Sequence, residues 1–486
     1  MYAYPEVTRT HGLPLDSSLV LAQLPIFPLE VKHMSILSAD TIAALATAPL
    51  PAGVAIIRIS GKNAHAIAQT ILKRTEPLTP RQAHYGNFYN AAGEVIDSGL
   101  ALFFPNPHSF TGEDVVELMP HGSPAVVESL LNATFAAGAR QAQAGEFTRR
   151  AVLNGKMDLT AAEGLADLIA AETEAQRHQA QRQLAGELGS RFDDWRTQVL
   201  ELLAQTEAAI DFPDEELEVL TEAAISQKLQ ALIASLQQAM ATRAGQRLRE
   251  GFQIAIIGKP NAGKSTLTNL LTGAETAIVS PIAGTTRDVV RASLNIGGFP
   301  VQLADTAGLR DTSDVIEAEG VSRAQTTAGQ ADLVIAVVDA AEWPELDPSV
   351  AAQVRDDTVF VLSKTDLNAP EHASFRSGSA SVPLNLTDKS SLDTLLPILT
   401  EKLQKLYAPA QSAATLTRQR HVDCVTSALQ HLSRGAALFD APPPTGISEL
   451  LAQDLRDAAF QIGLVTGRTT SEDVLDVVFS TFCVGK

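Results

Sequence analysis

The sequence predicts a multi-domain chain of mixed architecture: an α+β unit, then an all-α unit split in sequence by an inserted, doubly wound α/β unit. Three observations carry this. The chain has 486 residues, more than a single core accommodates, so about three domains are expected. Between 251 and 408, short apolar runs alternate with helical stretches, the mark of strands buried on both faces of a parallel sheet. Helical periodicity lies on both sides of that segment, and insertion needs only neighbouring chain ends.

Residues 1–37 are interrupted by prolines and hold no lasting period, so they read as an unstructured extension. They lack the basic start and apolar core of a secretory signal. Met34 opens "MSILSADTIAALAT", the first stretch that reads as folded, and is an alternative start. In the α+β unit, 38–156, "GVAIIRISG" (53–61), "SGLALFFP" (98–105) and "EDVVELMP" (113–120) read as strands. Across 157–250, Leu184, Leu188, Phe192, Trp195, Val199 and Leu202 step by three and four, one face of a long helix. Ile225, Leu229, Leu232, Leu236 and Met240 repeat the pattern after a break at "DFPDEEL" (211–217). In 251–408 the strand candidates are "FQIAIIG", "VQLADTAG", "DLVIAVVDA" and "TVFVLSKTD". Residues 409–486 return to helical periodicity, interrupted by "APPPTG" (441–446).

Composition narrows the function. No apolar run is long enough to span a bilayer. Two cysteines far apart make neither a disulfide framework nor a zinc site, which fits a reducing cytoplasm. The net charge of −19 argues against unaided gripping of nucleic acid, so an RNA substrate requires a local basic patch or a basic partner.

"GKPNAGKS" (258–265) fits G-x-x-x-x-G-K-[ST] between a strand and a helix. In that setting backbone N–H groups close on phosphates at the positive end of the helix. Lys264 would reach the β and γ phosphates and Ser265 would hold Mg²⁺. "GTTRD" (284–288) offers Thr286 as a second Mg²⁺ hydroxyl, and "DTAG" (305–308) brings Asp305 towards the metal and the Gly308 N–H towards the γ phosphate. In "SKTD" (363–366), Asp366 could accept two hydrogen bonds from a guanine edge. Ser363 stands where the usual motif begins with Asn, and "LNLTD" (384–388) departs from the usual last base-contacting loop, which leaves guanine affinity open. Leu309 follows "DTAG" and cannot orient water, so hydrolysis needs other help. Asn261 could supply a carbonyl to a monovalent cation that offsets developing charge. By spacing alone, Glu317 is an exposed helix acid or a carboxylate acting through water.

These motifs, with "DTIAALAT", "IIRISG", "PHSFTGEDVVEL", "HGSP", "GEFTRRAVLNGKMDL", "AAIDFPDEEL" and the terminal "FCVGK", resemble the MnmE (TrmE) family of tRNA uridine-modification GTPases from Ser38 to Lys486. The resemblance implies a folate-binding and dimerising N-terminal domain (38–156), a helical domain in two parts (157–250 and 409–486) and an inserted Ras-like G domain (251–408). It implies a cytoplasmic homodimer, not membrane-bound, that joins the flavoprotein MnmG (GidA) in a heterotetramer or larger. Together they would install an aminomethyl-type group at carbon 5 of the wobble uridine of certain tRNAs. The one-carbon unit would come from 5-formyl- or 5,10-methylene-tetrahydrofolate, and hydrolysis would be stimulated by potassium.

By residue, the resemblance assigns to GTP or GDP Asn261, Ala262, Gly263, Lys264, Ser265 and Thr266; Ser280, Pro281, Ile282, Ala283, Gly284, Thr285 and Thr286; Asp305, Thr306, Ala307 and Gly308; and Lys364 and Asp366. It implies Ser265 and Thr286 for Mg²⁺, and Asn261, Ser280, Ile282 and Thr285 for K⁺. Arg287 and Asp288 complete the same switch. Glu317 falls on the hydrolytic glutamate. Arg58, Glu117, Lys156 and Lys486 match folate contacts. Ser471 is the expected N-cap of a last helix that brings the tail inward, where Cys483 would face the one-carbon chemistry as nucleophile or acid. Cys424 reads as packing. A different class, a GTP-dependent switch in ribosome assembly without RNA chemistry, would share the nucleotide motifs but has no use for the folate-type blocks or "FCVGK".

Overall fold

The computed structural model describes residues 40–211, 222–274, 292–304, 328–367, 381–411, 415–440, 448–469, 472–480 and 482–485. The expected extension 1–37, the break at 212–217, the switch residues Ser280–Asp288, the "DTAG" stretch with Leu309, Glu317, the "APPPTG" break, Ser471 and Lys486 lie outside these residues.

The chain enters as β1 (Thr41–Leu45), β2 (Ile57–Ser60), α1 (Ala64–Leu72), β3 (His84–Tyr89), β4 (Val95–Phe104), β5 (Val115–Met119), α2 (Pro124–Ala136), β6 (Ala139–Gln141) and α3 (Glu146–Leu153). The strands form one sheet in the order β3-β4-β5-β2-β1-β6, antiparallel except where β6 joins β1. Side chains alternate across it. Ile57, Ile59, Val116 and Leu118 face one way and pack with Ile67 and Ile71 of α1 and Leu130 of α2. Ile42 and Ala44 face the other way, towards Phe147 of α3. Arg58 is the register partner of both Ala44 and Glu117, so this second face carries the charged pair.

Next come α4 (Leu159–Ala170), α5 (Glu174–Leu184), α6 (Glu187–Asp211), α7 (Glu222–Met240) and α8 (Ala244–Glu250). The start of α4 is capped by the Asp158 side chain, which accepts from the Ala161 N–H, and α5 opens with a reciprocal Thr173–Gln176 capping box. The single long helix expected from Leu184 to Leu202 is instead two. Gly186, at a φ of 89°, breaks the run, leaving Leu184 on α5 and the rest of the stripe on α6. A three-and-four spacing does not reveal a left-handed turn that a glycine makes between helices of similar face.

The inserted segment holds β7 (Phe252–Ile257), α9 (Lys264–Thr272), β8 (Ala292–Ile296), β9 (Phe299–Ala304), β10 (Leu333–Asp339), α10 (Pro348–Ala351), β11 (Val359–Ser363), β12 (Ser381–Pro383) and α11 (Leu392–Gln411). Its sheet runs β12-β11-β10-β7-β9-β8, parallel but for the β8–β9 hairpin. Order reverses at β7, which pairs with β9 on one side and β10 on the other. Ligands of open α/β sheets bind beyond the strand ends at such a point. Leu395, Leu399 and Leu403 of α11 share the core of this sheet with Leu248 of α8, so the chain leaves and returns side by side.

The chain finishes with α12 (Gln419–Asp440), α13 (Ser448–Thr466) and α14 (Glu472–Ser480). Phe192, Trp195 and Val199 of α6, Leu229 and Leu236 of α7, Val425 and Leu432 of α12, and Leu455 and Ile462 of α13 form one apolar core. Segments separated by the α/β unit in sequence are therefore one helical body. Cys424 packs half-buried at its edge, where burial pushes the thiol pKa up. The two segments also meet in a buried polar knot. Glu163 of α4 accepts from Arg420 Nε at 3.1 Å and pairs with His421 Nε2 at 2.7 Å. Burial works to raise the Glu163 pKa, but His421, Arg420 and Arg418 outweigh it and hold the carboxyl at about 2. Burial lowers the pKa of His421, which is fully enclosed.

Candidate functional sites

At the end of β7 the backbone turns tightly. Gly258 has a φ of 152°, and a Cβ there would run into the Val337 carbonyl of β10. The loop 258–263 then delivers its amides to the N-terminus of α9, where an anion is favoured. Lys264 is half-buried, and its Nζ donates to the Gly258 and Lys259 carbonyls, both at 2.8 Å. Burial lowers its pKa. A partly desolvated ammonium at a ring of amides is built for phosphate oxygens, so the loop fits the group its motif implies. Ser265 and Thr266 are exposed in the first turn of α9. Asn261 is exposed at a left-handed φ of 61°, while Ala262 is buried beneath the loop.

The "SKTD" stretch leaves the end of β11 beside this loop. Buried Ser363 donates its hydroxyl to the Ala262 carbonyl at 2.7 Å, with the Val338 carbonyl at 3.3 Å as a second acceptor. Its one proton is thus spent on main chain, a role that the missing Asn did not suggest from sequence. Lys364, at a φ of 57°, donates to Asp339 Oδ2 at 2.8 Å, and that bond leads the effects that hold the Asp339 pKa low. Asp366 is exposed nearby in sequence. Of the "LNLTD" stretch, Leu386 is buried against Gly263 of the phosphate loop.

The second site lies on the charged face of the N-terminal sheet. Arg58 and Glu117, on neighbouring strands, form one ion pair with Nη2–Oε1 at 2.9 Å. The Arg58 guanidinium also sits 5.3 Å from the Phe110 ring centre and 5.7 Å from that of Phe147. Lys156 Nζ donates to the Pro107 carbonyl at 3.0 Å, and Asn154 Nδ2 to that of Thr111 at 2.7 Å, so both hold the 107–111 loop that carries Phe110. Below the loop, Arg150 of α3 pairs with Glu113, Glu146 and Asp40. Sequence reasoning gave no role to Phe110 or Phe147, although both sit inside quoted blocks. Two aromatics within blocks that also hold ligand-type charges were the available signal.

The C-terminal tail folds back onto this sheet. Phe482 packs against Phe479, with ring centres 5.2 Å apart. The Gly145 N–H donates to the Cys483 carbonyl at 3.2 Å, and Val484 bridges to Ala144. Gly485, at a φ of 98°, is buried so closely on the Leu45 carbonyl that a Cβ would collide with it. Cys483 is a free, exposed thiol beside the start of α3.

Two family models match the chain. One described as "GTP-binding protein TrmE N-terminus" matches residues 41–156, and one described as "MnmE helical domain" matches 159–483. A "tRNA modification GTPase MnmE" of Paramagnetospirillum magneticum is 45% identical over 453 residues, covering 92% of this chain and 100% of that protein. The proteins of the same name from Rhodospirillum rubrum and Hydrogenovibrio crunogenus are 44% and 40% identical, covering 93% and 92% of this chain and 100% and 99% of their own lengths. The chain belongs to the MnmE family. The MnmE helical model spans the α/β insertion as well as the helices around it, in keeping with one helical core built from both flanks. As in the sequence-based expectation for the family, the fold is multi-domain, α+β and α/β together. Among the described residues, no helix is long and apolar enough to cross a membrane.

Proposed function

We propose that this GTPase hydrolyses GTP at the 258–265 loop and uses the turnover to drive aminomethylation of carbon 5 of the wobble uridine in certain tRNAs, together with the flavoprotein MnmG and as a cytoplasmic homodimer. The observation that carries the reading is the coexistence of the Lys264 phosphate loop with a tail docked at β1 and the start of α3, on a sheet that carries a separate charged, aromatic face. A simple switch has no need of the second.

In this reading 251–408 is the G domain, 157–250 and 409–486 the helical domain, and 38–156 the folate and dimerisation domain. Lys264 and the loop amides hold the phosphates. Ser265, with Thr286, would hold Mg²⁺, and Asn261, Ser280, Ile282 and Thr285 would hold K⁺. Such cations supply positive charge where it develops in phosphoryl transfer. Asp305 and Gly308 attend the γ phosphate and Glu317 the attacking water. Lys364 and Asp366 take the base, and Ser363 steadies the loop instead of contacting it. A tetrahydrofolate derivative would bind at Arg58, Glu117, Lys156 and Lys486. The residues present suit such a group: Glu117 offers a carboxylate acceptor for ring N–H donors, Phe110 and Phe147 offer flat faces, and Lys156 offers a cation for an acidic tail. Cys483 stands at the tail as the nucleophile or acid for the uracil ring.

The acidic chain should bind tRNA weakly and lose it with salt, the partner supplying basic surface. The test is chromatography of wobble uridines from cells lacking this chain, alongside binding of labelled 5-formyl-tetrahydrofolate to the full chain and to a form without residues 483–486. Loss of the modified uridine and of folate binding is expected. Unchanged uridines, or folate binding that survives the deletion, would refute the reading.

A further inference from the structure

Nucleotide loop and tail are far apart in sequence, yet one helix touches the supports of both. On α4, Glu163 and Asp167 lie one turn apart on the same face, a like-charge pair that would destabilise an isolated helix. Here the pair is held by cations from two other segments. Asp167 Oδ1 accepts from Arg249 Nε of α8 at 3.0 Å and from an Arg418 terminal nitrogen at 2.7 Å. Glu163 takes Arg420 and His421, while Arg420 also donates to the Leu464 and Val465 carbonyls of α13.

α8 is tied on its other side to the nucleotide sheet. Arg247 pairs with Asp332 at 2.6 Å, and Asp332 accepts from the Gln253 N–H of β7 at 2.9 Å. β7 runs directly from there into the phosphate loop. The first turn of α4 faces elsewhere. Leu159 and Ala162 are buried against Leu475, Val478 and Phe479 of α14, the helix that ends in the docked tail. A displacement of β7 and α8 therefore reaches α4 directly at the Asp167 carboxylate, beside an indirect route through α5, whose Gln176 and Gln179 side chains donate to the Arg249 and Gly245 carbonyls, and α4 reaches Cys483 through an apolar contact.

We infer that Asp167, clasped by Arg249 and Arg418, is a positioning residue that transmits the state of the nucleotide sheet through α4 to the tail bearing Cys483. This rests on the proposed coupling of GTP turnover to tail chemistry. It assigns that coupling to one surface, the α8–α4 contact, and leaves hydrolysis itself untouched.

The test uses the full chain carrying Cys424→Ser, so that Cys483 is the reacting thiol. Its alkylation by iodoacetamide is timed with no nucleotide, with GDP and with a non-hydrolysable GTP analogue, in potassium and magnesium. The unaltered Asp167–Arg249 pair should give rates that differ about fivefold between nucleotide states. Arg249→Gln is the principal variant, because Arg249 is one-third exposed and its loss leaves the Asp167–Arg418 pair in place. It should keep GTP hydrolysis within about twofold and lose the state dependence of alkylation, and Asp167→Asn should do the same. A merely structural contact would leave the nucleotide response intact while lowering the melting temperature. Retention of the fivefold response in Arg249→Gln would overturn the inference. Equal rates in all states of the unaltered pair, with hydrolysis proceeding, would overturn it too and leave the GTPase reading standing. Absence of hydrolysis would instead overturn that reading and this inference with it.

Discussion

The phosphate loop and the tail-docked sheet gather charged groups in opposite ways. The loop is local: eight consecutive residues, one strand end and one helix start put Lys264 and the amides together. The second face draws on β2, the 107–111 loop with β5, α3 and, through α3, the last residues of the chain, which are widely separated in sequence. A local site depends on backbone geometry and survives changes elsewhere. An assembled site depends on docking, and one methyl group at the right place dismantles it.

The largest expected effect on activity is at the local site. Lys264→Ala removes the half-buried ammonium held on the Gly258 and Lys259 carbonyls, and GTP hydrolysis should fall by about 10²–10³-fold, by analogy with loss of a preorganised donor. Folate-type binding at the tail-docked sheet should be unchanged; a joint loss would erase the distinction between the sites.

Next comes the knot between them. Glu163→Gln leaves Arg418 and Arg420 without their buried carboxylate, which costs about 3–5 kcal/mol when one partner of such a pair is removed. Urea unfolding measures it. The sign with pH follows from the folded pKa of about 2, below the ordinary 4.5. The native carboxylate's contribution is fully present above 4.5 and is lost as pH falls towards 2, so unaltered protein should lose stability over that window and the Gln variant should lose less.

The assembled site offers a sharper contrast. Gly485→Ala forces a side chain into the Leu45 carbonyl at a left-handed φ, so the tail should leave the sheet. Binding of 5-formyl-tetrahydrofolate should weaken about tenfold, or 1.4 kcal/mol, while GTP hydrolysis holds. The smallest effect is Ser363→Ala, which deletes one hydroxyl bond to the Ala262 carbonyl. GTP and ATP affinities should both fall by about fivefold, near 1 kcal/mol, without a change in base preference. A selective loss of GTP would show that Ser363 reads the base after all.

The same contrast explains what could be read in advance. The G-x-x-x-x-G-K-S loop, the apolar strands around it and the stripes of α6 and α7 were legible because their physics is local or periodic. The Gly186 break was not, since the apolar stripe continues on its far side. Arg58 and Glu117 were legible only through family resemblance, because their pairing is a matter of strand register across residues that are far apart. Phe110 and Phe147 stayed hidden for the same reason. Ser363 looked like a defect in a base-reading motif until its hydroxyl was seen to bond the phosphate loop. The short strands β6 and β12, three residues each, carry too little pattern to be found from sequence.

The central claim is that the loop at 258–265 turns over GTP with help from a bound alkali cation. The most direct measurement is steady-state GTP hydrolysis by the full chain with potassium, then with sodium at equal ionic strength, Lys264→Ala serving as the blank. Hydrolysis about tenfold or more faster in potassium, absent from the blank, is the expected result. Equal rates in the two salts, or a rate that survives in the blank, would contradict it.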